Sequence, residues 1–369
     1  MTTRNDWVRN NWPELCLIFI ITIGVSTRLI TLNSPFLHTD EKFTIDLIRH
    51  SWQYIITYSF TQDCNPPLYY LLAKASVEFY GFYPWVERLP AFIAGVWCIP
   101  AAYDLGKEYS GTITGIIAAL FVSLLGCMWY YSQFGRGYTL LCLLFMLLAI
   151  YYIRIVRGDA SRSAWVTFGI LGALCIWTHL FAAIPVWLLT THIILRLPFD
   201  VDELRRKLLC LTPIPLSVGM FAFLFVSIAS NRINGASLTF GNTPQEILTI
   251  LPLEYFGYAI IPLVPLMIYT ITTRINDEVV GGLTVAWFIT LIAQLIIAIK
   301  TPVFARYSLL FVPILCVLAA DAISRFVKSD GSSTIQKVFI VAVILGIFLV
   351  TVYLQLSLMV TLPNGADTI

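Results

Sequence analysis

Residues 66–82 read PPLYYLLAKASVEFYGF, and whether this run crosses a bilayer decides how the whole chain is threaded. A helix that spans the hydrocarbon core needs about twenty predominantly apolar residues. This run is shorter, opens on Pro-Pro, and carries Lys74 and Glu78. If it crossed, every later loop would change sides and the basic loops would face outward, against the tendency of cytoplasmic loops to retain Lys and Arg. The run therefore reads as an interfacial or re-entrant segment.

The rest of the chain leaves no doubt that lipid is its solvent. Of 369 residues, 58% are apolar and 12% charged, and the mean hydropathy is +0.81. An ordinary soluble domain has about 25% charged residues, enough polar surface to cover its core. The net charge of +2 and the absence of any Lys/Arg tract exclude a basic nucleic-acid binder. The eight cysteines are scattered without a CxxC pair, and only Cys64 falls in an expected external loop, so they read as small core hydrophobes. The first apolar run contains Arg28 and lacks a small-residue cleavage site, which makes it a retained span.

About eleven spans follow, near residues 14–32, 88–106, 112–131, 139–156, 163–178, 180–197, 208–229, 255–272, 280–299, 308–325 and 337–359. The expected fold class is an all-α polytopic membrane protein, one transmembrane domain over residues 1–369 with no separate soluble domain. With the N-terminus inside, fourteen Lys and Arg residues fall on the cytoplasmic side and eight outside, which supports a multi-pass cell-membrane protein with a cytoplasmic N-terminus. The outer loop 33–87 is unusually long. Within it, Ile45, Ile48, Trp52, Ile55 and Ile56 recur at helical spacing over residues 40–56, while Asp46, Arg49, His50 and Gln53 take another face, as in a helix lying on the outer leaflet.

Four polar groups stand at the outer face. The first, His38-Thr39-Asp40-Glu41, carries adjacent carboxylates that could serve chemistry or simply favour a helix N-terminus. In the second, Asn65 precedes Pro66-Pro67, which alone would be a rigid helix start. The third is YYSQFGRGY, residues 130–138, where two glycines around Arg136 let backbone approach whatever the arginine binds; Tyr anchoring and Arg snorkelling are the bland alternative. The fourth runs from Lys300 to Tyr307 and includes Arg306. Arg88, Lys74 and His179 belong to the same outer layer by topology, although a lone histidine is more often a packed residue than a ligand.

The order of these motifs, an acidic pair, then PPLYYLL, ERLPAFIAGV, WYYSQFGRGY, WTHLF and ARYSLLFVP, resembles the membrane glycosyltransferases of family 39 and the related protein O-mannosyltransferases and aminoarabinose transferases, all of the GT-C fold. The resemblance runs over most of the chain and is strongest over residues 36–186. It implies transfer of a sugar, mannose or another hexose or pentose, from a polyprenyl (dolichyl or undecaprenyl) phosphate to a protein, glycan or lipid acceptor on the extracytoplasmic side. It makes Asp40 the candidate general base and Glu41 its neighbour in acceptor or cation binding, with Arg88, Arg136 and Arg306 as phosphate ligands and Tyr138, His179, Asn65 and Lys74 around the substrates. Many relatives carry His where Asn65 stands and Glu-Ala where Phe134-Gly135 stand, and the missing glutamate weakens the case for a metal. A divalent cation would have only His38, Asp40, Glu41 and His179 to hold it.

A sugar phosphate already carries a good leaving group, so one base suffices and inversion is expected. On one helix, Asp40 and Glu41 would diverge by roughly 100°, which favours separate tasks. The competing class, a transporter or flippase, places charges along a pathway through the midplane, whereas here they gather at the outer ends of helices.

Overall fold

The computed structural model describes residues 4–33, 38–62, 65–197, 200–221, 241–300, 303–329 and 333–361. Cys64, residues 230–240 and the last part of the expected span 208–229, residues 222–229, lie outside the described residues. Everything described is helical apart from connecting turns and one isolated bridge between Asn242 and Val303.

The chain is an all-α polytopic membrane protein. Seven helices among the described residues are long and apolar enough to cross a bilayer, and three shorter apolar ones, Thr112–Leu124, Arg162–Thr178 and Leu180–Ile194, accompany them. Together they coincide with ten of the eleven expected spans.

The outer connection is built of short helices. α1 (Arg4–Leu32) leads to α2 (Thr39–Ile48), where the His38 N–H donates to Glu41 Oε2 at 3.1 Å, one arm of an N-terminal cap. The expected single helix over 40–56 is two: after Ile48 the chain turns at residues 49–51, and Ser51 Oγ caps α3 (Trp52–Thr61) by accepting from Tyr54 N at 3.2 Å. α4 (Leu68–Tyr80) begins after the Pro-Pro pair and stops at Gly81, whose φ of 84° suits glycine. Its 13 residues reach about 20 Å, short of the roughly 30 Å hydrocarbon thickness. Tyr69, Tyr70, Ala73 and Val77 form its buried face.

α5 (Pro84–Ser110) starts four residues before the expected span, on a first-turn proline, and so takes Glu87 and Arg88 into its first turns. It packs on α6 (Thr112–Leu124), α8 (Tyr138–Val156), α4 and α1. The expected span 112–131 is broken: Leu125, at φ −62° and ψ 129°, separates α6 from the six-residue α7 (Gly126–Tyr131). A break in lipid strands the last carbonyls of α6. Arg28, fully buried on α1, donates to them, Nη1 to Ser123 O at 2.8 Å and Nη2 to Val122 O at 3.4 Å, while its Nε donates to Ser132 Oγ at 2.9 Å. One guanidinium therefore caps the broken helix and ties down the loop that follows it.

α9 (Arg162–Thr178) and α10 (Ala183–Ile194) are joined through His179 and a 3₁₀ turn, Leu180–Ala182. α11 is Val201–Leu211, α12 Pro244–Phe256, α13 Ile260–Arg274, α14 Glu278–Ala298, α15 Val312–Lys328 (entered by a 3₁₀ turn, Ala305–Phe311) and α16 Thr334–Thr361. The stretch from Ala305 to Lys328 is the most enclosed of the long helices, and α1 and α16 are the least.

At the far end of the bundle, Asp321 is fully buried and receives Ser110 Oγ at 2.5 Å, with Arg325 at 3.1 Å and Arg274 at 3.3 Å. That knot locks the ends of α5, α13 and α15 together. The opposite ends of the same helices are left to converge elsewhere.

Candidate functional site

The expected acidic pair occupies the first turn of α2, and the structure sends its two side chains to different partners. Glu41 turns inward and is fully buried. Arg88 grips it with one edge of the guanidinium, Nε to Oε1 at 2.7 Å and Nη2 to Oε2 at 3.0 Å, while Nη1 donates to Leu32 O at 3.1 Å. The Gly135 N–H adds a third donor to Glu41 at 2.8 Å, and Thr44 Oγ1 returns a bond to Gly135 O at 3.0 Å. Glu41 and Arg88 thereby pin α2, α5 and the loop 132–137 to one another. With these donors engaged, Arg88 braces the site.

Asp40 faces the other way. Its Oδ2 accepts from Arg306 Nη2 at 2.9 Å, and Arg306 Nε donates to Tyr138 OH at 3.0 Å. Both charged side chains are partly exposed, Asp40 at 32% and Arg306 at 20%, so the pair sits at an accessible surface rather than in the core. The Arg306 guanidinium lies 3.9 Å from the centre of the Phe304 ring and 5.7 Å from that of Tyr138, an aromatic cradle that favours a cation.

Tyr138 links this ion pair to a small cavity lined by Asn65, Pro66, Tyr69, Tyr70, Arg136, Gly137, Tyr138, Thr178 and His179. Arg136 Nη1 donates to Tyr70 OH at 2.9 Å, and its guanidinium lies 5.6 Å from the Tyr70 ring centre and 5.9 Å from that of Phe43. Gly137 opens the wall: a Cβ there would meet Thr178 Cγ2 at 2.9 Å and Tyr69 Cβ at 3.3 Å. His179 accepts at Nδ1 from Phe181 N at 3.2 Å. Burial first, then the Arg136 and Arg306 charges, push its pKa down to about 3, so the ring is neutral.

Of the expected residues, Asn65, Arg136, Tyr138 and His179 meet at the cavity, Asp40 and Arg306 adjoin it through Tyr138, and Glu41 and Arg88 support it from behind. Lys74 stands apart on α4, paired with Glu78 at 3.4 Å; the same carboxylate takes Trp52 Nε1 at 3.0 Å. The four residues that could hold a cation are not gathered. His38 Nε2 is 2.9 Å from Tyr130 OH, and the other three are held as described. Among the described residues no group of three or more His, Cys, Asp or Glu side chains converges in a metal-binding arrangement.

Two acidic residues escaped the sequence reading. Glu254 on α12 accepts Tyr131 OH at 2.5 Å, beside the WYYSQFGRGY loop; its only sequence signal is a carboxylate at the edge of an apolar run. Glu87 is 1% exposed, and neither carboxylate oxygen has a hydrogen-bond partner among the described residues. It abuts Gly135, where a Cβ would lie 3.1 Å from Glu87 Oε1.

Comparison with known proteins places this geometry in a fold. Residues 64–230, less than half of the chain, match the family described as dolichyl-phosphate-mannose-protein mannosyltransferase. No curated protein sequence matches the chain significantly. Among solved structures, ArnT from Cupriavidus metallidurans in the apo state superposes with a TM-score of 0.62 at 15% identity, over 86% of this chain and 60% of that one. The same protein bound to undecaprenyl phosphate gives 0.58 at 16% identity, over 88% and 61%. The oligosaccharyltransferase AglB from Archaeoglobus fulgidus, in complex with an inhibitory peptide and a dolichol-phosphate, gives 0.61 at 14% identity, over 95% of this chain and 56% of that one. The chain thus spans about 60% of the length of these proteins. Its transmembrane architecture is the GT-C fold that they share.

Proposed function

We propose that this chain is a membrane glycosyltransferase that moves a sugar from a polyprenyl phosphate to an acceptor hydroxyl at the end of the bundle where Asp40, Arg136 and Arg306 meet, on the extracytoplasmic side. The observation that carries the reading is the Asp40–Arg306–Tyr138 chain adjoining a cavity that presents Arg136 and neutral His179. The lipids named in the ArnT and AglB structures support a polyprenyl phosphate as donor, and the partial family match supports mannose as the sugar.

In the proposed reaction the acceptor oxygen attacks the anomeric carbon from the face opposite the phosphate. The new C–O bond forms as the sugar–phosphate C–O bond breaks. Its electron pair leaves with the polyprenyl monophosphate, and the acceptor proton passes to Asp40, giving inversion. Arg136 and Arg306 face the charge that grows on the departing phosphate, where a planar guanidinium in a partly dry site stabilises it best.

The ion pair adds a consequence. Arg306 cannot serve Asp40 and a phosphate equally, so a bound donor draws the guanidinium toward itself and frees Asp40 Oδ2 for the acceptor hydroxyl. The base becomes available only when the donor is in place.

The test is release of polyprenyl phosphate from a radiolabelled lipid-linked sugar by the purified protein in nanodiscs. Release that depends on an added acceptor supports the transferase. Movement of intact lipid-linked sugar between leaflets without cleavage would assign the protein to the transporter class instead.

A further inference from the structure

His179 does two things at once. It ends α9 in extended backbone, φ −157° and ψ 125°, and it caps the 3₁₀ turn Leu180–Ala182 through Nδ1, which accepts the Phe181 N–H at 3.2 Å. A ring nitrogen that accepts a hydrogen bond carries no proton. In a neutral imidazole the proton must then reside on the other nitrogen, Nε2. Nδ1 is turned to the backbone, and Nε2 has no hydrogen-bond partner among the described residues, although the ring lines the same cavity as Arg136. The ring is held in place by Tyr307, with centroids 4.6 Å apart at 63°, and by Tyr138, at 6.1 Å and 40°. A donor locked by its own backbone cap and wedged between two tyrosines is pre-organised for an acceptor in the cavity.

We propose that His179 is a neutral hydrogen-bond donor, through Nε2–H, to a non-bridging oxygen of the carrier phosphate, with the Phe181 N–H selecting the tautomer. This inference rests on reading the cavity as the carrier-phosphate site. Its chemical content is distinct: the arginines supply charge, and His179 supplies a directed donor that adds none. Neighbouring positive charges would repel an imidazolium, and burial keeps the ring uncharged.

Two substitutions separate the two nitrogens. In His179→Asn the side-chain oxygen occupies the place of Nδ1 and keeps the cap, but nothing reaches the place of Nε2. In His179→Gln the amide nitrogen occupies the place of Nε2, and the cap is lost. The measurement is binding of farnesyl phosphate to the full chain in detergent, with farnesol as the control lacking phosphate, alongside thermal unfolding of each variant.

A hydrogen bond to a charged group corresponds to roughly ten- to hundredfold in affinity. His179→Asn should lose that factor for farnesyl phosphate while melting like wild type, and His179→Gln should bind within about threefold of wild type. Farnesol binding should not differ among them. Wild-type affinity in His179→Asn would show that the histidine is only a cap and would overturn the inference, as would affinity in a folded His179→Gln as weak as in His179→Ala. The broader reading has its own readout: if Arg136→Ala binds farnesyl phosphate like wild type, the cavity is not the phosphate site.

Discussion

Asp40 and Arg306, 266 positions apart, form an ion pair of 2.9 Å between Oδ2 and Nη2. The pair closes a ring of contacts between the first outer loop and the start of the most enclosed helix, and it leaves both groups partly exposed. A charge pair made for stability alone gains little at such a surface. Its position beside a cavity with a second arginine suits a pair that is exchanged when an anion arrives.

If donor phosphate competes with Asp40 for Arg306, removing the carboxylate should leave Arg306 more available. Asp40→Asn is therefore expected to bind farnesyl phosphate at least as tightly as wild type while transfer falls by about 10²- to 10⁴-fold, the span of a lost general base. Arg306→Ala should weaken both donor binding and transfer. Equilibrium binding and single-turnover assays on the same preparations check the two together.

Glu41 and Glu87 make a contrast in buried carboxylates. Glu41 has a bidentate arginine and a backbone donor; Glu87 has no hydrogen bond to either oxygen among the described residues. Breaking a buried pair by removing one partner costs about 3–5 kcal/mol, so Glu41→Gln should lower the melting temperature sharply. Glu87→Gln replaces a buried carboxyl that has no hydrogen bond among the described residues with an amide of the same shape and should melt at or near the wild-type temperature. Thermal unfolding in one detergent compares them.

Gly137→Ala tests the cavity wall by volume alone. The new Cβ would meet Thr178 Cγ2 at 2.9 Å, tighter than ordinary contact, so the loop must shift by tenths of an ångström. Because that loop carries Arg136 and Tyr138, donor KM should rise. Alanine at Gly219, which meets nothing within 4 Å, should leave it unchanged.

The His179 pKa predicts the sign of one pH effect. The folded ring is held near 3, against 6.5 for the ordinary group. Unfolding therefore takes up a proton below about pH 6.5, and the stability that neutral His179 contributes is lost as pH falls from there toward 3. His179→Asn should show a shallower acid-side loss than wild type in melting temperature between pH 7 and pH 5, measured in the same detergent.

Much of this was legible because hydropathy and charge act locally. The places of ten apolar helices, though not all their ends, and the short helix after Pro66-Pro67 follow from runs of apolar residues, and the Asp40/Glu41 divergence follows from helical pitch. What escaped depends on contacts distant in sequence. The run 112–131 holds no proline and only Gly115 and Gly126, and its break at Leu125 is stabilised by Arg28 from about a hundred positions upstream. Glu254 has meaning only beside Tyr131, 123 positions away. Arg88 looked like Arg136 and Arg306 in sequence, and only the fold shows that its donors are engaged by Glu41.

The central claim is that Asp40 is the base in an inverting transfer from a polyprenyl phosphate. Its most direct test is single turnover of a labelled polyprenyl-phosphate sugar with acceptor, comparing wild type with Asp40→Asn and determining the anomeric configuration of the product. The account predicts release of polyprenyl phosphate with an inverted product in wild type, and release slowed by about 10²- to 10⁴-fold in Asp40→Asn. Turnover of Asp40→Asn at the wild-type rate, or a product with retained configuration, would contradict it.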